Sequence, residues 1–257
     1  MQENIKYSLI FLTLNEINGL KGIFDKIPVS EFDEVFAVDG GSTDGTLAFY
    51  KDRGVKVVPQ NSRGRGEAFR IAAEVATSDV MIFFSPDGNE DTKDLLKFKK
   101  YFKDGFDMVI ASRMMKGAYN EEDDLIFKWR KWANNSFNLL ANLFFRSSGQ
   151  FVTDSINGYR GITKEAFNKV KPDGKGYTIE YQMTIRAFKE KLKITEFPTH
   201  EYPRIGGESY AKSIPTGIAF LGMLKYELFR DNYIKSYRLF FVSILIIAFF
   251  SYLLFIN

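Results

Sequence analysis

Glu34-Val35-Phe36-Ala37-Val38-Asp39-Gly40-Gly41-Ser42-Thr43-Asp44-Gly45-Thr46 is the stretch whose reading decides the fold. An apolar, β-rich run ends on an acid, glycines let the chain turn sharply, and Asp44 or Thr46 can cap a helix that follows. The same grammar recurs on both sides. β-rich runs occupy Tyr7–Leu14, Glu34–Asp39, Val55–Val58, Val80–Ser85 and Met108–Ser112. Helical spacing fills Gly19–Ile27, Thr46–Lys51, Glu67–Ala76 and Asp94–Phe102. Strand and helix in alternation predict an α/β domain with a mostly parallel central sheet. In such sheets ligands bind beyond the carboxyl ends of the strands.

The residues at those ends carry chemistry. Thr13-Leu14-Asn15-Glu16 closes the first run, and an acid there can accept from a ribose hydroxyl or a base N–H. Taken alone, Val38–Thr46 is equally a turn with a helix cap. Asn61-Ser62-Arg63-Gly64-Arg65-Gly66-Glu67-Ala68 puts glycines and two arginines before a helix, where they can face a diphosphate or form a solvated basic loop. Ser85-Pro86-Asp87-Gly88-Asn89 follows the fourth run. It can form a β-turn, or offer the Asp87 carboxylate and Asn89 carboxamide to one Mg²⁺ or Mn²⁺. Its place among the other strand-end motifs favours the metal.

Composition narrows the classes. The 257 residues contain no cysteine and one histidine, His200, which excludes thiolate chemistry and argues against a Ser-His-Asp hydrolase. The net charge of +3 conceals a split. Residues 1–124 hold 16 basic and 22 acidic residues, whereas residues 125–257 hold 19 and 10. A basic second half suits an anionic partner or surface. Nothing implies nucleic acid.

The ordered set Thr-Leu-Asn-Glu, Val-Asp-Gly-Gly-Ser-Thr-Asp-Gly-Thr, Arg-Gly-Arg-Gly-Glu-Ala and Ser-Pro-Asp-Gly-Asn resembles family 2 glycosyltransferases. Within them it is most similar to dolichyl-phosphate mannose synthases and related polyprenyl-phosphate sugar synthases. Ala111-Ser112-Arg113, Asp154–Arg160, Glu180, Glu196-Phe197-Pro198 and Arg204–Ser209 extend the resemblance over roughly residues 5–212. It implies a Rossmann-like GT-A domain over residues 1–212. It also implies a nucleotide-diphosphate sugar donor, either GDP-mannose or UDP-glucose, and a polyprenyl phosphate acceptor. Thr13, Asn15, Glu16, Val38, Asp39, Gly66 and Pro86 would surround the nucleotide. Asp87 and Asn89, with Ser85, would hold the metal. Asp87, Arg113, Asp154 and Arg204 would form the catalytic set, and Arg113, Arg160, Arg204 and Lys212 would meet phosphate. Ser85 departs from the family's usual Asp-x-Asp, and Tyr210 stands where a lysine is usual, which shifts that role to Lys212.

An acceptor phosphate is already anionic and needs no general base, and its attack opposite the leaving group would invert the anomeric centre. A saccharide hydroxyl would need a base, for which Asp154 is the candidate. A membrane-anchored nucleotide-sugar binder without catalysis is the third reading.

The remaining patterns concern a membrane. Residues 125–145 have helical apolar spacing with Lys128, Trp129, Arg130, Lys131 and Trp132 near one end, suited to core packing or a bilayer interface. Residues 213–238 form a second such segment. Leu239–Ile256 lacks any charge, and about 18 residues reach roughly 27 Å as a helix, near the ~30 Å of a hydrocarbon core. A single span over 239–257 is therefore expected. Lys225, Arg230, Lys235 and Arg238 before it place the catalytic domain in the cytoplasm. The N-terminal apolar run lacks a cleavage site and is not expected to be a signal peptide. The span leaves room for a homo-oligomer.

Overall fold

The computed structural model describes residues 4–206 and 212–230, together with Ile244. Five strands fall where the apolar runs predicted them: β1 (Tyr7–Thr13), β2 (Glu34–Asp39), β3 (Lys56–Pro59), β4 (Val80–Phe84) and β5 (Met108–Ser112). Between them run α1 (Ile17–Ile23), α2 (Thr46–Asp52), α3 (Arg65–Val75) and α4 (Leu95–Lys103). Then follow α5 (Trp129–Phe145), β6 (Arg160–Thr163), α6 (Lys164–Val170), α7 (Thr178–Lys189), β7 (Ile194–Pro198) and α8 (Ser213–Phe229).

The strands form one sheet in the order β3-β2-β1-β4-β6-β5-β7. β1 pairs in parallel with β2 and β4, and β5 with β7. β6 is antiparallel to both β4 and β5, so it is the one reversed strand. Thr13 lies opposite Asp39, and Phe11 opposite Phe84. That register brings the carboxyl ends of β1, β2 and β4 to one edge, with the turns that carry the strand-end motifs.

β1 and β4 are buried along their whole length because both faces are covered. Period-two alternation divides their side chains between two cores. Leu9 and Phe11 pack with Leu20, Tyr50 and Phe98 from α1, α2 and α4. Ile10 and Leu12 face the other way, toward Phe69, Leu140, Ile179 and Leu224 from α3, α5, α7 and α8. Gly161 in β6 is required by packing: a Cβ there would come within 2.7 Å of Phe102 of α4.

The helix expected over 125–145 begins at Trp129. Its basic residues are not free for headgroups. Arg130 pairs with Glu121 and Glu122, and Lys128 and Lys131 pair with Asp123. The segment expected over 213–238 is helical from Ser213 to Phe229. α8 is fastened to α7 by a buried network. Glu227 accepts from Arg186 Nε at 2.8 Å, Lys189 Nζ at 2.7 Å and Gln182 Nε2 at 2.8 Å. Among the described residues no helix is long and apolar enough to cross a membrane. The span expected over 239–257 lies outside them, apart from Ile244.

Candidate active site

The strand ends open into a cleft of about 870 Å³. One wall is built from the β1, β2 and β4 turns. Asn15 sits in the left-handed region (φ +57°) and locks two of these turns together. Its N–H donates to Ser42 Oγ at 2.8 Å, and its Oδ1 accepts from Thr43 N at 2.8 Å. Asp39 is buried and shapes its own loop, accepting from Gly41 N, Ser42 N and Ser42 Oγ at 2.5–2.9 Å. Thr13 Oγ1 shares a hydrogen bond with the Tyr50 hydroxyl at 2.9 Å.

At the centre, Arg204 reaches across the cleft. Its guanidinium donates to Asp87 Oδ2 at 2.9 Å and pairs with Glu16 Oε1. The segment carrying it is docked along the β4 turn, with Tyr202 N on Asn89 O and Ile205 N on Asp87 O, both at 2.8 Å. Ile205 fills space that only glycine leaves at positions 22 and 88. Burial pushes Glu16 up to about 7, with the Asp87 charge adding to it and Arg204 pulling it down. Burial also raises Asp87, and pushes the neighbouring Glu90 carboxyl well above its ordinary value.

The donor chemistry for a hard divalent cation is present at two of the three expected positions. Asp87 offers carboxylate oxygens. The Asn89 amide nitrogen is committed to Tyr202 O at 2.6 Å, which leaves the amide oxygen as its donor atom. Ser85 does not fit. Its Oγ accepts from Arg65 Nη1 and Nη2 at 3.3 Å each, and that guanidinium would repel a cation. Among the described residues no three acid or histidine side chains form a ready metal cage.

Arg113 also lines the cleft. It donates from Nε and Nη2 to the two oxygens of Asp154 at 2.8 and 3.0 Å, and from Nη1 to Glu201 at 2.9 Å. Burial alone would lower its pKa, but the two carboxylates hold it well above the ordinary value. Asp154 is fully buried behind this guanidinium, and Glu196 Oε1 accepts from its N–H at 2.9 Å. The expected general base is therefore a residue that positions Arg113, closed off from any substrate. Burial pushes Glu196 up to about 7.

Arg160 needs the plainest correction. It has no exposed surface, and its guanidinium donates to the carbonyls of Ser155, Asn157 and Glu180 and to Thr184 Oγ1. It knits loop to helix and cannot reach an acceptor phosphate. Desolvation lowers it to about 10. Val38 is likewise a core side chain. Gly66 and Pro86 lie in packing contacts rather than on the cleft surface. A Cβ on Gly66 would collide with Gly174 O, and the Pro86 carbonyl occupies the space a Cβ on Gly19 would need. Lys212 stands at the exposed start of α8, next to Ser213, which lines the cleft.

Sequence reasoning missed Glu201 and Arg65 as site residues. Glu201 also accepts from Asn120 Nδ2 at 2.6 Å. Its signal was its place just beyond β7, the same strand-end logic that found Glu16 and Asp87. Arg65 was noticed for its loop but not for its partner, Glu180, 115 residues away. The far wall of the cleft comes from α5 and α8: Trp129, Asn134 and Phe137 face Thr216, Gly217 and Phe220. Outside it, Leu125, Ile126, Phe127, Trp132 and Ile218 remain exposed.

Comparison with known proteins agrees with this geometry. Over 200 residues the chain is 31% identical to the glycosyltransferase AglJ of Haloferax volcanii, covering 76% of this chain and 62% of that protein. The chain thus spans less than two thirds of AglJ's length. It is 27% identical over 191 residues to a dolichyl-phosphate hexose transferase of the same organism, covering 70% and 79%. In fold it matches glucosyl-3-phosphoglycerate synthase from Mycobacterium tuberculosis, solved with Mn²⁺, UDP and phosphoglyceric acid. The TM-score is 0.71 at 18% identity, over 88% of this chain and 79% of that one. Residues 8–170, more than half of the sequence, match the family model described as glycosyl transferase family 2, and the chain belongs to that family.

Proposed function

We propose that the protein transfers a hexose from GDP-mannose or UDP-glucose to a polyprenyl phosphate at the cytoplasmic face of a membrane, with inversion and with Mg²⁺ or Mn²⁺. The observation that carries this reading is the asymmetry of the cleft. Its one wall presents Glu16, Asp87 and Arg204, while its other wall is two helices whose outer apolar side chains have no cover. A polar donor suits the first wall and a lipid-linked acceptor the second.

The nucleotide lies along the β1 and β2 turns, with the diphosphate over Asp87 and Asn89. A divalent cation held by those two residues would neutralise charge on the leaving diphosphate. Arg204 exchanges Asp87 for a phosphate oxygen, trading one anionic partner for another. Arg113, oriented by Asp154 and Glu201, presents its remaining N–H groups to phosphate. The acceptor phosphate attacks unaided. That Asp154 is shut behind Arg113 speaks for a phosphate acceptor over a hydroxyl that needs a base. On the outside, Ile126, Phe127 and Trp132, with the expected span, would hold the cleft at the bilayer. The basic residues of α5, being paired internally, add little to that attachment.

The test is a panel of radiolabelled nucleotide sugars offered with polyprenyl phosphate in vesicles. Label is expected in the chloroform phase with one donor, and only with added divalent cation. Label transferred to saccharides and never to lipid would overturn the acceptor.

A further inference from the structure

Deep in the cleft, one carboxylate oxygen lacks a partner. Glu180 rises from the first turn of α7, is 2% exposed and lines the cleft. Its Oε1 pairs with Arg65 Nε. Its Oε2 is buried and accepts no hydrogen bond among the described residues. Buried polar atoms are nearly always satisfied, so an orphan on a cleft wall marks a place for a ligand's donor.

The surroundings define that ligand. The carboxylate repels phosphate, and the Arg65 guanidinium beside it cancels its attraction for a metal cation. A neutral O–H group fits. Gly158 lines the same pocket, and its lack of a side chain is what lets Arg65 and Glu180 lie against it, since a Cβ there would collide with the guanidinium. Arg65 in turn donates to Ser85 Oγ, two residues before Asp87, so the cluster adjoins the proposed diphosphate site. Those two contacts are long, at 3.3 Å, and therefore weak. The Glu180 contact is the firm one, so Arg65 stays with Oε1 and leaves Oε2 as the oxygen for a hydroxyl.

We propose that Glu180, held by Arg65, binds a hydroxyl of the hexose on the donor and thereby sets which sugar is accepted. This rests on the donor reading above. A hydroxyl bound to a buried carboxylate gives strong discrimination, because an analogue lacking it leaves the oxygen unpaired again.

Calorimetric titration of the full chain with Mn²⁺ tests this. The probes are GDP and UDP, GDP-mannose and UDP-glucose, and the monodeoxy-hexose forms of each. In the unaltered protein, removing one particular hydroxyl is expected to weaken binding roughly tenfold to a hundredfold, with the other positions changing little. Glu180→Gln is expected to lose a similar factor on the parent sugar donor, nothing further on the matching deoxy donor, and nothing on GDP or UDP. If every monodeoxy donor binds as the parent does, the assignment is overturned without recourse to any variant. Equal weakening of the sugar donor and the bare diphosphate by Glu180→Gln would also overturn it, since Glu180 would then act only through Arg65. If the unaltered protein binds the bare diphosphates and no sugar donor gains over them, the hydroxyl site is refuted and the nucleotide site stands. Absence of all nucleotide binding would refute the donor reading itself.

Discussion

Two arginine–carboxylate clusters in this molecule use the same chemistry to opposite ends. Arg186 and Lys189 of α7 enclose Glu227 of α8, which has no exposed surface. Arg204 joins Glu16 and Asp87 across an open cleft, on a loop rather than a helix. The first cluster joins two helices and has nothing to gain by opening. The second holds together groups that a donor would have to separate. Burying charges is costly, so a closed network is tolerated only when every partner stays in place. The cleft cluster is also largely buried, its side chains 12–20% exposed, but a ligand bringing its own charges can take the place of the partners it separates.

The comparison breaks most sharply at Glu227. Glu227→Ala removes the buried carboxylate shared by Arg186 and Lys189, leaving Arg186 with Asp173, and is expected to cost about 3–5 kcal/mol in folding free energy. Urea unfolding measures it, and a loss below about 1 kcal/mol would mean the network is not structural. Asp87→Ala is the counterpart in the cleft. Folding stability is expected to fall by about 1–3 kcal/mol, less than for Glu227→Ala, because Arg204 keeps Glu16. Metal-dependent nucleotide binding is expected to fall by at least about tenfold to a hundredfold, the loss typical of removing even a partner that only supports a metal ligand. Titration with and without EDTA separates the two effects. Unchanged metal dependence would remove Asp87 from the site.

The smallest effect is one of pH. Glu16 is raised from 4.5 to about 7 in the folded chain, so folding favours its protonated form. That contribution is complete below about 4.5 and is lost as pH rises through about 7. The stability of the unaltered protein is therefore expected to fall relative to Glu16→Gln between pH 5 and pH 8. Parallel stability curves for the two proteins would show that burial in the cleft does not raise Glu16.

The strand ends were legible because an apolar run followed by an acid and glycines has few other meanings. The first five strands, Glu16 and Asp87 followed from that pattern, and Arg204 from the family resemblance. β6 was not legible: four residues that include a buried arginine and a glycine show no alternation. Arg160 and Asp154 were legible as residues but not as roles. Both sit in motifs beside the site, and only three-dimensional packing reveals that their charges are spent inside the protein. Glu180 shows the reverse case, since its free oxygen is a property of what surrounds it and not of the residues next to it in the chain.

The reversed strand has one more effect, on the order in which the chain can assemble. Among the described strands β5 pairs only with β6 and β7, which arrive some fifty and eighty residues later. The first four strands can pair as they leave the ribosome, whereas β5 must wait until about residue 163, the end of β6, has been made. Throughout that interval β4 presents an unpaired, wholly apolar edge. The nascent chain is then most open to wrong partners, and a delay in translation between residues 112 and 160 is expected to do more harm than one before residue 84.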